Sequence, residues 1–63
     1  MEYRIRECRE AQHLSQQALA EKSGVSRATI SGLESGTIQV TTTETLLKLA
    51  SALNTKVSDI FLA

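Results

Sequence analysis

The side chains able to do covalent or metal chemistry are few in this 63-residue chain, and their spacing excludes more than it allows. Cys8 is the one cysteine, so no disulfide can close within the chain, and His13 is the one histidine, so no zinc cluster can assemble. No glycine-rich phosphate loop, dinucleotide fingerprint or paired-histidine metal motif occurs. Cys8 follows Ile5 by three residues and reads as a small core hydrophobe rather than a nucleophile. His13, just before Leu14, reads as a solvated residue where a helix ends. Catalysis needs several polar groups held by supporting shells, and so short a chain has little left to supply them. No enzyme, metal or cofactor is expected. The remaining chemistry is that of charges and hydroxyls: seven Lys or Arg balance seven Asp or Glu, for a net charge of zero. The signs alternate between Glu2 and Lys22, the pattern of a solvated, salt-bridged helix surface.

The elements that position these groups follow from apolar period and capping residues. Period 3.6 dominates throughout and predicts an all-α fold of five short helices without strands. The first spans about Glu2 to Gln12, with Ile5 and Cys8 on one face. Ser15 is the natural N-cap of a second helix, Gln16 to about Ser23, with Leu19 and Ala20 inward and the left-handed Gly24 as its stop. Ser26 caps a third, Arg27 to about Ser35, with Ile30 and Leu33 inside and Gly36 closing it. Thr37 to Thr43 carry no charge and form an extended loop; Thr41, Thr42 or Thr43 caps the fourth helix. Leu46, Leu49, Ala50 and Leu53 are that helix's inner stripe, and Asn54 can stop it. A last helix, about Val57 to Leu62, presents Val57, Ile60 and Phe61 on one face.

One stretch, QQALAEKSGVSRATISGLES from Gln16 to Ser35, carries a helix-turn-helix spacing. Ala20 is small where the second helix crosses, Gly24 turns the chain, and Ile30 with Leu33 pins the third helix. The chain resembles the phage-repressor-like (Cro/CI or XRE) family of helix-turn-helix DNA-binding domains. IRECRE is similar to that family's first helix, LSQQALAEKSGVSRATIS to its helix-turn-helix, and TETLLKLASALN with VSDIF to its closing helices. The likeness covers nearly the whole chain and implies a single domain, residues 1–63, with a lambda-repressor-like fold.

The resemblance also implies roles. The second helix would point its N-terminus, with Ser15, Gln16 and Gln17, at a phosphate; Gln16 matches the family's phosphate-binding glutamine. The third would enter the major groove, with Arg27, Ala28, Ser31 and Gly32 on its exposed face. Arg27 would read a guanine edge, and Ala28 a thymine methyl. Ser26 and Thr29 would lie nearer a phosphate, as would Thr37, Gln39 and Thr42 in or beside the next loop. Arg9 and Glu34 fall where the family has a structural ion pair. Gly32 stands where a long polar side chain is common, and is either a weak point of the helix or a place of close approach. Ser23 occupies a position that is commonly leucine. The loop after Gly36 is one residue longer than usual and lacks its common basic residues, which implies a shallow salt dependence.

A chain this short buries only about 60% of its unfolded surface. A homodimer, with Phe61 and Leu62 at its interface, is therefore expected on a palindromic operator. The resulting expectation is a sequence-specific regulator of transcription, in particular a repressor, that binds double-stranded DNA. The neutral charge, unusual for a nucleic-acid binder, supports an alternative: a protein-interaction module such as an antitoxin or anti-repressor, with a protein partner. No apolar run is long enough for a signal peptide or membrane span. A reducing, cytoplasmic setting is expected, bacterial or phage-encoded by the resemblance.

Overall fold

Ser15, Ser26 and Thr42 each place a side-chain oxygen over the start of a helix, and those three caps set the frame of the domain. In the computed structural model, which describes residues 2–38 and 40–62 (Glu2, Phe61 and Leu62 by backbone alone), five helices follow one another. They are α1 (Ile5–Ala11), α2 (Gln16–Ser23), α3 (Arg27–Ser35), α4 (Thr43–Ala52) and α5 (Val57–Ile60). Ser15 accepts from the Ala18 amide at 3.0 Å, Ser26 from Thr29 at 3.2 Å and Thr42 from Thr45 at 3.1 Å. Each cap satisfies an amide that the helix leaves without a partner. Of the three threonines offered for α4, the structure selects Thr42. Gly24 and Gly36 end α2 and α3 at φ of 76° and 85°, a left-handed backbone that costs glycine nothing. His13 and Asn54 adopt the same region, φ 59° and 56°, at the ends of α1 and α4.

The apolar stripes converge as their spacing requires. Ile5, Leu19, Ile30, Leu49, Leu53 and Ile60, at least one from every helix, are fully buried. Leu33, Leu46, Ala50, Ala52 and Val25 complete the core, with Tyr3, Cys8, Leu14, Ala20, Ile38 and Val57 packed partly against it. Val25, in the turn between α2 and α3, escaped the periodicity argument because it belongs to no helix. The Gln12 side-chain amide donates to the Leu53 carbonyl and ties the end of α1 to the end of α4.

Two expectations change at the chain ends. The first helix begins at Ile5 rather than Glu2, and the last ends at Ile60 rather than Leu62. The residues so released form strands β1 (Glu2–Tyr3) and β2 (Phe61–Leu62), antiparallel, with Glu2 opposite Leu62 and Tyr3 opposite Phe61. The Arg4 amide extends this clip by donating to the Ile60 carbonyl at 2.8 Å. A helical period cannot reveal the pairing, because its partners lie at opposite ends of the sequence. A four-residue helix such as α5 is not stable alone, so being held at its end by the first residues matters to it.

Candidate nucleic-acid interface

The candidate surface is built by α2 and α3, with α1 behind them. The turn at Gly24 and the buried Val25 set α3 against α2, while Ile30 and Leu33 press its inner face into the core. This leaves Arg27, Ala28 and Ser31 exposed together on the outer face of α3. Arg27 makes no ion pair with any described residue, so its guanidinium fork is free for an external acceptor. Gln17 is exposed at the start of α2.

Gly32, expected to be exposed with them, is buried. A Cβ built on it would meet Ile38 Cδ1 at 2.5 Å and Cγ1 at 2.6 Å, too close for any real pair. Of the alternatives left open for this glycine, close approach is the one observed. The covering side chain comes from the loop after the helix, which helix periodicity cannot anticipate.

Gln16 also has a prior engagement. Its amide nitrogen donates to Glu34 Oε1 at 3.1 Å, joining the start of α2 to α3. A side-chain amide has two hydrogens, so one remains to meet a phosphate while the first fixes its direction. The capping oxygens of Ser15, Ser26 and Thr42 use lone pairs as acceptors, which leaves hydroxyl hydrogens to place. Ser26 shares one with Thr29 at 2.8 Å, and Thr42 shares one with Thr45 at 3.0 Å, so each pair retains one hydrogen that is not used within it. Thr37 is exposed, but its hydroxyl lies 2.9 Å from that of Ser35, which itself donates to the Gly32 carbonyl at 3.3 Å. Thr37 can therefore donate to a phosphate only after releasing Ser35. Gln39 lies outside the described residues, as do the side chains of Phe61 and Leu62 on which the interface expectation rests.

Behind the surface, the Arg9 and Glu34 pair is present and larger than the sequence indicated. Arg9 Nε lies 2.8 Å from Glu34 Oε2, and its terminal nitrogen lies 3.0 Å from Oε1, a two-pronged contact. The other Arg9 terminal nitrogen donates to the Leu14 carbonyl at 2.7 Å. Arg6 adds a bond to Glu34 at 3.3 Å that the sequence reading missed; its position one helical turn before Arg9 was the available signal. The Glu34 side chain is completely inaccessible. Burial pushes its carboxyl up, but the bonds from Arg9, Gln16 and Arg6 outweigh that, and it titrates below the ordinary glutamate value. Arg9 is held correspondingly above the usual arginine value, first by its bond to Glu34. One buried carboxylate thus locks α1, α2 and α3 into a single orientation.

Two paired helices, an outward face that carries Arg27 and this lock are the geometry of a helix-turn-helix domain, and residues 5–60 match the helix-turn-helix family. The chain belongs to that family, in its XRE branch. It is a DNA-binding transcription regulator of helix-turn-helix type. The chain is similar to the restriction-modification controller protein C.AhdI from Aeromonas hydrophila, a crystal structure. The two share 41% identity with a TM-score of 0.84, over 92% of this chain and 86% of that one. No curated protein matches. None of the described helices is long and apolar enough to cross a membrane.

Proposed function

We propose that the chain represses transcription by binding a palindromic operator as a homodimer, with α3 in the major groove of each half-site. The observation that carries this reading is the distribution of charge at the helix starts. Three helices place an acid in their first turn: Glu7 in α1, Glu44 in α4 and Asp59 in α5. An acid there complements the positive end of the helix dipole and stabilises by about 0.3–1 kcal/mol. α2 and α3 place none, and α3 begins instead with Arg27, a cation at the positive end. Folding alone disfavours this choice; a polyanion facing those two ends favours it.

In this reading Arg27 takes a guanine edge, Ala28 touches a thymine methyl, and Ser31 bonds the base beside them. Ser15, Gln16, Gln17, Ser26 and Thr29 hold the backbone, with Thr37, Gln39 and Thr42 meeting it from the loop side. Domain size favours two copies: the molecule measures 25 × 22 × 19 Å, less than the roughly 34 Å between successive half-sites. Phe61 and Leu62 are the proposed seam between the copies. The likeness to a restriction-modification controller supports the same kind of duty for this chain, control of restriction-modification genes.

The test is selection of random duplexes by the purified protein, with the winners rebound at two salt concentrations. A two-fold symmetric consensus whose affinity falls modestly with salt is expected, since few cations displace counterions. Weak, equal binding to every duplex would refute operator recognition and transfer the function to a protein partner.

A further inference from the structure

We infer that Ile38 is a specificity-determining residue, carried by the loop onto the recognition face at the one place where α3 has no side chain. The inference deepens the DNA-binding reading above and rests on it. Gly32 follows Ala28 by one helical turn and adjoins Ser31, so a side chain at 32 would flank the exposed face. Ile38 occupies that volume: its Cδ1, Cγ1 and Cβ lie 2.5, 2.6 and 3.3 Å from the position of a residue-32 Cβ. Two backbone features hold it there. Gly36, at φ 85°, reverses the chain, and the Ile38 amide donates to the Gly32 carbonyl at 3.0 Å. The side chain is half-buried, so part of its apolar surface remains open.

Of the groups a base pair presents in the major groove, only the thymine C5-methyl suits an apolar partner; the other edges are hydrogen-bond donors and acceptors. A branched hydrocarbon set against those edges would leave them without partners. Ile38 therefore selects thymine at one position of each half-site, separate from the guanine that Arg27 reads.

The experiment pairs a protein change with the removal of a single methyl group from DNA. Wild type and I38A are bound to the selected operator and to copies in which one thymine at a time is replaced by deoxyuridine. At one thymine per half-site the replacement is expected to weaken wild type about four-fold, the worth of a methyl group removed from water. The same replacement is expected to leave I38A unchanged, while its preference for the Arg27 guanine persists. G32A, whose new methyl displaces Ile38, is expected to alter the same position. Ile38 contributes to packing, so I38V, which loses only Cδ1, carries the comparison if I38A does not fold. A merely structural role for Ile38 would weaken both duplexes equally, and equal penalties at every thymine would overturn the assignment while leaving the DNA reading intact. A wild-type chain that enriches no duplex would overturn both.

Discussion

Arg9→Ala removes more from this domain than one exposed arginine would suggest. Glu34 Oε2 loses its bond at 2.8 Å and Oε1 one of its bonds, at 3.0 Å, leaving Gln16 at 3.1 Å and Arg6 at 3.3 Å. The Leu14 carbonyl loses its guanidinium donor as well. Stripping one partner from a buried ion pair costs about 3–5 kcal/mol, because the remaining charge stays buried. Arg6 is more than half exposed and lies farther off, so the lower end applies, about 3 kcal/mol. A domain of this size has only about 3–9 kcal/mol in total. With a urea slope of about 1 kcal/mol/M, the midpoint is expected to fall by roughly 3 M, followed by far-ultraviolet circular dichroism. R9M/E34L, which removes both charges and keeps the volume, is expected to recover most of the loss. An R9A midpoint within about 0.5 M of wild type would show a screened surface pair and refute the argument.

The same carboxylate predicts a response to acid. Its titration lies lower in the folded chain than in the unfolded one, so the unfolded state takes up its proton first as pH falls. Stability from Glu34 is thus present above the ordinary glutamate range and is lost on acidification below it; E34Q should flatten a plot of urea midpoint against pH there. R27A is expected to lower operator affinity by about ten-fold or more while changing affinity for random duplex far less, as measured by competition binding. Equal losses on both would limit Arg27 to phosphate contact. T42A should cost about 1 kcal/mol in thermal unfolding through its lost cap on α4, with T42S restoring it. An unchanged T42A would mean that water caps the helix as well.

Much of this architecture was legible because its boundaries are marked by local chemistry. Ser15, Gly24, Ser26 and Gly36 bracket α2 and α3 at the residues expected, since a cap and a left-handed stop act within one helical turn. The stripe of Leu46, Leu49, Ala50 and Leu53 likewise needed only the helical period. Features created by distant partners were not legible. The clip between Tyr3 and Phe61 joins opposite ends of the chain, and Ile38 covers Gly32 from outside its helix. On the candidate surface, the exposure of Arg27, Ala28 and Ser31 was legible, because an outward helix face is set by the inward one. It did not show that Gln16 already serves Glu34, or that Arg6 joins them, because both depend on how three helices meet.

The acid-free starts of α2 and α3 leave a trace in how this sequence can evolve. Exchanging Gln17 or Ala28 for glutamate would improve each helix as a helix and, in the proposed binding mode, place negative charge against the DNA polyanion. Selection for thermal tolerance alone would therefore accumulate acids at those positions, and the survivors would be sturdier proteins that have stopped recognising DNA. If the proposed operator recognition holds, selection for it would keep the same positions at a local stability deficit, so the two regimes would drive one short surface in opposite directions.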